Sequence, residues 1–220
     1  MITLDKRLSA VAALVRSGSR LADIGTDHAY LPVHLVQAGV CPSAIASDIG
    51  EGPLDAAHRT VTENGLTSEI ALRLGNGLAT VSAGEVEDIA IAGMGGETIV
   101  AILEAAPWVQ NEGVRLILQP MTRAEDLRRW LLTHGFSALE EHLIIDGRHL
   151  YPVLAAQYTA APVCEDDVLI YGGFFTAEEG RPYRQMMAEH LLRRAQGLSH
   201  GGDAVSAATL IDLSHRLKDM

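Results

Sequence analysis

Five short, continuously apolar runs recur along the first 118 residues, and helical periodicity fills the stretches between them. Runs of this length and character are typical of strands that are buried on both faces of a parallel sheet. The strands are predicted at residues 20–24, 44–48, 70–74, 88–92 and 114–118. Repeated β-α units of this kind predict the α/β class, with a doubly wound parallel sheet and helices on both faces.

The stretches between the strands have recognisable helix ends. Helices are predicted at residues 30–38, 53–64, 97–106 and 124–134. Pro32 and Pro53 lie in the first turns of the first two helices, and Gly39 and Gly65 follow their last residues. Proline near the start and glycine after the end are common at helix boundaries.

The pattern changes after the fifth strand. Two apolar-rich runs at residues 138–145 and 149–157 flank Asp146-Gly147-Arg148, and Asp-Gly is a strong hairpin signal. An antiparallel hairpin is therefore predicted at the end of the sheet. Two more helices, at residues 181–196 and 203–218, indicate an antiparallel helical hairpin.

This segmentation predicts two domains. Pro162 and the acidic run Glu165-Asp166-Asp167 indicate a linker between the sheet and the last two helices. We therefore predict a Rossmann-like domain over residues 1–159. Residues 160–220 then form the linker and a small C-terminal helical domain.

The composition limits the cellular compartment in which the protein is expected and the kinds of functional site that it can contain. No apolar run is long enough to span a bilayer, and Asp5, Lys6 and Arg7 interrupt the region where a signal peptide would be apolar. The two cysteines, Cys41 and Cys164, lack metal-ligand spacing, and the nine histidines form no metal or triad motif. We therefore expect a cytoplasmic protein that binds neither membrane nor metal.

The charge balance does not identify a partner by itself. The formal net charge of −11 weighs against nucleic acid. However, 15 of the 17 basic residues are arginine, the side chain that is best suited to phosphate contacts. A GC-rich genome would produce the same bias, so both explanations stay open.

The loop after the first strand carries the most informative motif. A dinucleotide site would need a second glycine two residues after Gly25, so that a pyrophosphate could approach the backbone, but Asp27 occupies that position. A carboxylate repels pyrophosphate and attracts the ammonium or sulfonium group of S-adenosylmethionine. The motif therefore favours S-adenosylmethionine as the cofactor. Alternatively, Asp27 only caps the helix that begins near Ala29, and both roles can coexist.

Polar residues and glycines follow the other strands. Asp48 ends the second strand, where a carboxylate accepts hydrogen bonds from ribose hydroxyls, although it could instead cap the helix at Pro53. Asn76 follows the third strand and could contact the cofactor adenine, although Asn-Gly is above all a turn signal. Gly93-Met94-Gly95-Gly96 leaves room for a ligand after the fourth strand.

The fifth strand ends in Gln119 and Pro120. Proline fixes the backbone there, and the Gln119 amide could bind an amine of the acceptor. The alternative for Gln119 is ordinary loop polarity.

On these motifs the sequence resembles the bacterial tRNA (adenine-N1)-methyltransferase family that modifies adenine 22 of tRNA. The motifs are Arg7-Leu8, the ten residues 23–32, Asp48 with Gly52-Pro53, Gly75-Asn76-Gly77, residues 93–96 and Gln119-Pro120. The predicted hairpin agrees, because such an ending is common in class I methyltransferases and uncommon in nicotinamide-binding Rossmann domains. The resemblance implies a class I S-adenosylmethionine methyltransferase fold with a coiled-coil-like C-terminal domain.

The resemblance also implies a site and a reaction. The implied cofactor-binding residues are Arg7, Asp23, Gly25, Asp27, His28, Asp48, Ile49, Asn76, Gly77, Gly93, Met94 and Gly95. Adenine N1 has an in-plane lone pair and needs no strong base, so catalysis would consist mostly of positioning and desolvation. Asp27 would stabilise the developing positive charge, while Gln119 and the backbone at Pro120 hold the exocyclic amine. The base must be unpaired or flipped before it reacts.

Two other functions stay open at this point. The −11 charge favours a small-molecule methyltransferase, and a non-catalytic cofactor-binding domain could use the C-terminal helices for docking.

If tRNA is the substrate, local clusters of basic residues must contact phosphates. The candidates are Lys6, Arg7, Arg16, Arg123, Arg128, Arg129, Arg181, Arg184, Arg193 and Arg194, and we expect the C-terminal hairpin to act as an RNA clamp. Protein partners are not indicated.

Overall fold

Seven strands form one sheet in the order β3-β2-β1-β4-β5-β7-β6 in the computed structural model, which describes residues 2–220. The strands are β1 Leu21–Ile24, β2 Ala44–Asp48, β3 Ile70–Leu74, β4 Asp88–Gly95, β5 Arg115–Thr122, β6 Phe136–Asp146 and β7 His149–Tyr158. Neighbouring strands among β1–β5 are parallel, and β7 is antiparallel to both β5 and β6. The strand order reverses between β1 and β4, so a crevice opens beyond the carboxyl ends of these strands.

Helices cover both faces of the sheet. The eight α-helices within residues 2–220 are α1 Lys6–Leu14, α2 Tyr30–Gln37, α3 Glu51–Glu63, α4 Gly96–Glu104, α5 Ala124–Thr133, α6 Asp167–Gly172, α7 Ala177–His200 and α8 Ala204–Lys218. Helices α1, α2 and α3 share one apolar core with one face of the sheet, and α4 and α5 share the other. Leu21 belongs to the first core and Ala22 to the second, as the two-residue period of a strand requires. The doubly wound α/β fold and its antiparallel ending are confirmed.

Several element bounds differ from the prediction. Strands β4 and β5 continue to Gly95 and Thr122, because they stay paired with each other across two register shifts around Met94. Helices α3 and α4 begin earlier than predicted, at Glu51 and Gly96. The longer β4 and β5 carry the glycine-rich motif and Gln119 up to the crevice.

The C-terminal region is more helical than the sequence indicated. The predicted linker contains α6, whose first turn is capped by the Asp166 carboxylate, which accepts a hydrogen bond from the Val168 amide. Helix α7 begins four residues before the predicted start, because the Thr176 side chain caps it by accepting a hydrogen bond from the Glu179 amide. Three residues, Gly201 to Asp203, connect α7 to α8, so the helical hairpin is confirmed.

A buried ion pair fastens the C-terminal helices to the sheet. Arg128 of α5 and Glu141 of β6 are both fully buried, with the Arg128 Nη2 atom 2.7 Å from Glu141 Oε1. Arg128 Nη1 also donates to the Ile170 carbonyl of α6 and to the Tyr183 hydroxyl of α7, both at 3.1 Å. These contacts cross the predicted boundary at residues 159 and 160, and the division into two domains stays a prediction.

None of the helices within residues 2–220 is both long and apolar enough to cross a membrane.

Candidate active site

Two cavities lie side by side in the crevice at the carboxyl ends of β1, β2 and β4. The first has a volume of about 440 Å³, with polar groups from Asp48 and Asn76 and apolar walls from Leu78 and Ile102. The second has a volume of about 370 Å³, and its lining includes the residues Asp5, Arg7, Asp23, Thr26, Asp27, His28 and Tyr30. Both cavities are lined by Gly25, Ala92 and Gly93. The crevice is therefore one divided site in which most of the predicted residues converge.

Glycine is required where the two cavities meet. Gly25 has a φ of +73°, and a Cβ atom added there would lie 2.1 Å from the Met94 Cε atom. Gly93 has a φ of +83°, and its added Cβ would lie 3.3 Å from Arg7 Nη1. A side chain at either position would strain the backbone and narrow the passage.

Asp48 joins the loops that follow β1 and β2. Its Oδ1 atom accepts a hydrogen bond from the Gly50 amide at 2.9 Å, and its Oδ2 atom accepts one from the Asp27 amide at 3.2 Å. Helix α3 has no side-chain cap, so the alternative that Asp48 caps it is wrong. Each carboxylate oxygen retains a second lone pair, which is available to hydroxyl donors in the first cavity.

Asp23 is a buried carboxyl group at the end of β1. Its Oδ2 atom accepts a hydrogen bond from Thr26 Oγ1 at 2.6 Å. Burial raises the pKa of Asp23 to about 6; the charge of Asp48 adds to this rise, and the Thr26 hydrogen bond opposes it. A cationic ligand would stabilise the ionised form of a carboxyl group that is buried in this way, because the ligand would replace the hydration that the charge loses on burial.

Asp27 and Ala29 hold the loop after β1 in an unusual conformation. Their φ angles are +51° and +56°, in the left-handed region that L-residues with side chains rarely adopt. Helix α2 starts at Tyr30 without a side-chain cap, so the alternative that Asp27 caps it is wrong. The Asp27 carboxylate is 68% exposed, and its Oδ1 atom lies 3.7 Å from His28 Nε2.

Gln119 is fully buried and positions its neighbours. Its Oε1 atom accepts hydrogen bonds from Arg7 Nη1 at 2.9 Å and from the Gly93 amide at 3.0 Å. Its Nε2 atom donates to the Pro120 carbonyl and to the sulfur of Met121. These bonds use the whole amide and the side chain is buried, so the alternative of ordinary loop polarity is wrong. That Gln119 binds an amine of the acceptor stays a prediction. Gln119 links α1, β4 and β5 at the passage between the cavities.

The other predicted site residues are distributed unevenly. Asp48, Ile49, Asn76, Gly77 and Met94 line the first cavity, while Arg7, Asp23, Asp27 and His28 line the second. Gly95 lines neither, because it packs beside Thr122 where β4 and β5 pair. Pro120 is also outside both cavities and is buried opposite Met94.

Thr26 and Tyr30 are among the residues of the second cavity that sequence reasoning missed. Thr26 holds the Asp23 carboxyl, and a hydroxyl three residues after a strand-ending carboxylate could have indicated this. Tyr30 lines the cavity from the first turn of α2 with 43% of its surface exposed. An aromatic residue at the polar start of a helix is its only signal in the sequence.

The structure corrects the list of arginines that were expected to contact phosphate. Arg128 and Arg184 are buried, and Arg184 donates to the carbonyls of residues 175–177. Arg16 pairs with Asp88, and Arg7 is bonded to Gln119. The exposed Arg123 and the half-buried Arg129 pair with carboxylates. In contrast, Arg181, Arg193 and Arg194 of α7 are exposed and form no ion pair within residues 2–220. The same range contains no cluster of three potential metal ligands.

Comparison with known proteins gives consistent matches. The family model described as "Methyltransferase domain" matches residues 4–154. The tRNA (adenine(22)-N(1))-methyltransferase of Bacillus subtilis (strain 168) is 35% identical over 195 residues, which cover 86% of this chain and 82% of the relative.

Solved structures are similar to this chain over nearly its whole length. The crystal structure of the B. subtilis M1A22 tRNA methyltransferase TrmK is similar with a TM-score of 0.89 and 31% identity, over 99% of this chain and 100% of that one. A Streptococcus pneumoniae protein, Sp1610, was solved in complex with S-adenosyl-L-methionine. It is similar with a TM-score of 0.82 and 34% identity, over 98% of this chain and 100% of that one.

Proposed function

Because the chain belongs to the methyltransferase-domain family and, within it, to the tRNA (adenine(22)-N(1))-methyltransferases, we propose that it methylates N1 of an adenine in tRNA with S-adenosylmethionine as the methyl donor. By the relatives' activity, the target is adenine 22. The observation that carries the proposal is the pair of cavities that meet at Gly25 and Gly93. Each cavity is lined by at least one carboxylate side chain. A tRNA substrate also supports a cytoplasmic location.

The residues present fit the proposed cofactor. In the first cavity, the Asp48 carboxylate suits ribose hydroxyls, and Asn76 with the apolar Leu78 and Ile102 suits a purine ring. In the second cavity, the buried Asp23 carboxyl suits an ammonium group and the Arg7 guanidinium suits a carboxylate. The two cavities thus match the nucleoside and amino-acid halves of S-adenosylmethionine.

The chain's own residues position the reactants and stabilise the charge that develops during the reaction. S-adenosylmethionine, when bound, supplies an electrophilic methyl group on a sulfonium centre. Gln119 fixes Gly93 and Arg7 relative to each other through two hydrogen bonds, which keeps the passage between the cavities in one geometry. The Asp27 carboxylate stabilises the positive charge that develops on the adenine ring. No residue needs to remove a proton from N1, because the ring nitrogen already carries the reacting lone pair.

Labelled methyl transfer tests the proposal directly. Purified protein is incubated with labelled S-adenosylmethionine and either unmodified tRNA or a small-metabolite extract, and the products are analysed by mass spectrometry. We expect labelled N1-methyladenosine from tRNA and none from a tRNA in which guanine replaces adenine 22. Label that enters only the metabolite extract would instead establish a small-molecule methyltransferase. Cofactor binding without any S-adenosylhomocysteine release would indicate a non-catalytic domain.

A further inference from the structure

A stacked pair of aromatic rings stands at the outer side of the second cavity. The ring centroids of His28 and Tyr30 are 5.2 Å apart, and the rings are inclined by only 11°. Both residues line the cavity, yet Tyr30 is 43% exposed and the His28 side chain is 47% exposed. An exposed flat aromatic surface beside a reaction site is available to a ligand.

The backbone holds these rings in place before any ligand arrives. The Asp27 amide donates to Asp48, the Ala29 amide donates to the Thr26 carbonyl at 2.9 Å, and the Ala29 side chain is fully buried. Because Asp27 and Ala29 are both in left-handed conformations, this loop carries backbone strain that its surroundings must balance. With positions 26, 27 and 29 anchored, the side chains of His28 and Tyr30 are directed outward.

The second cavity divides into an inner charged part and an outer aromatic part. Asp23 is 5% exposed, and the Arg7 side chain is 25% exposed, so these groups lie deeper than the two rings. The inner groups suit the charged amino-acid end of the cofactor. The aromatic pair offers no charge complement to that end, but it has the flat face that an unpaired base requires for stacking.

We propose that the stacked rings of His28 and Tyr30 form the platform on which the acceptor adenine lies when it enters the second cavity. The inference rests on the proposed function and identifies a substrate-positioning subsite for it. The adjacent Asp27 carboxylate, 3.7 Å from the His28 ring, then lies near the edge of a base that becomes cationic.

Substitutions of Tyr30 separate stacking from other roles. We expect Tyr30→Leu to lower kcat/KM for tRNA by about 5- to 150-fold, the range that corresponds to loss of one base–aromatic stack. Tyr30→Phe and Tyr30→Trp should keep kcat/KM within about threefold of the wild-type value, because both retain an aromatic face. S-adenosylmethionine affinity, measured by calorimetry, should not change in any of them. Tyr151→Leu is the matched control, because Tyr151 stacks on His149 at 5.9 Å but lines neither cavity.

A double-mutant cycle on binding gives the decisive result. Wild-type and Tyr30→Leu proteins, saturated with S-adenosylhomocysteine, are titrated with tRNA that carries either adenine or an abasic site at the target position. If Tyr30 stacks on the base, removal of the base weakens wild-type binding but has no further effect on the leucine variant. Additive losses, or an equal loss of cofactor affinity in Tyr30→Leu, would overturn the platform. Wild-type protein that fails to methylate tRNA would overturn the proposed function instead.

Discussion

Asp27 carries an exposed carboxylate, and its solvation limits how much it can contribute. Its side chain is 68% exposed, so water already screens part of its charge. We expect Asp27→Asn to lower kcat by about tenfold, well below the 100- to 1,000-fold cost of removing a desolvated stabilising group. Single-turnover rates at saturating cofactor measure this effect.

The same variant distinguishes the two possible roles of this charge. S-adenosylmethionine affinity should stay within about twofold if the charge acts mainly as the adenine becomes cationic. The control is Asp55→Asn on the exposed face of α3, which should leave both quantities unchanged. Equal losses in rate and cofactor affinity would assign Asp27 to ground-state cofactor binding.

Asp23 makes cofactor affinity dependent on pH. Burial raises its pKa to about 6 in the ligand-free protein, whereas an ammonium partner favours the ionised form. Binding must therefore displace a proton below pH 6, and the affinity for S-adenosylmethionine should fall about fivefold between pH 6 and pH 5. Above pH 7 the affinity should be constant with respect to this group. Calorimetric titrations across pH 5–7.5 measure the slope.

Substitution of Asp23 tests this assignment. Asp23→Asn should bind more weakly at pH 7 and show no slope below pH 6, while Asp48→Asn should weaken binding but keep the slope. A slope that persists in Asp23→Asn would show that another group titrates. In the ligand-free protein, the stability depends on pH in the opposite direction to the cofactor affinity. The folded state holds the proton more tightly, so the contribution of Asp23 to stability decreases as the pH rises from about 4 to about 6.

At the scale of elements, the junction of α5, β6 and α7 depends on one buried arginine. Arg128→Met would leave the Glu141 carboxylate buried without its cation, and we expect the free energy of unfolding to fall by about 3–5 kcal/mol. Urea denaturation measures this loss. The neighbouring Arg129→Met is the control, because the Arg129–Asp167 pair is only half-buried and should contribute at most about 1 kcal/mol. Equal effects of the two substitutions would contradict a structural role for the buried pair.

The order and type of the elements followed from the sequence because their signals are local. The apolar runs, Gly39, Gly65 and the Asp146-Gly147 turn each report on their own neighbourhood. The extension of β4 to Gly95 could not be predicted from the sequence. Glycines indicate a loop unless their pairing partner, here in β5, is known. Helix α6 was missed for a similar reason, since an acidic run that caps a helix looks the same as a linker.

The candidate site was predictable in its backbone and less so in its side chains. Asp48 and Gly25 lie at strand ends, where a parallel sheet fixes the location of ligands, so their place in the crevice could be predicted. The bonds of Gln119 could not, because Arg7 is 112 residues away in the chain. The same limit applies to Arg128, whose partners lie 13, 42 and 55 residues away, so it looked like a phosphate contact.

At the scale of the whole molecule, the exposed arginines of α7 are the remaining candidates for phosphate contact. We expect Arg193→Gln with Arg194→Gln to weaken tRNA binding and to reduce the slope of log K against log salt by about 1–2, since each lost phosphate contact removes roughly 0.7–0.9. Fluorescence anisotropy at several salt concentrations measures the slope. Arg59→Gln on α3 is an exposed control. An unchanged slope would exclude α7 as the clamp, and unchanged S-adenosylmethionine affinity would confirm that the site is intact.

The close approach of Gly25 to Met94 constrains how this enzyme can be recombined with its relatives. The Met94 side chain occupies the space that a Cβ at residue 25 would need, although 69 positions separate the two along the chain. A chimera with a crossover between residues 25 and 94 would take the loop after β1 from one protein and the end of β4 from another. These two segments would then not be complementary in shape. Donor segments should therefore span residues 25–94 as one block, and evolutionary drift at one of these positions should be accompanied by change at the other.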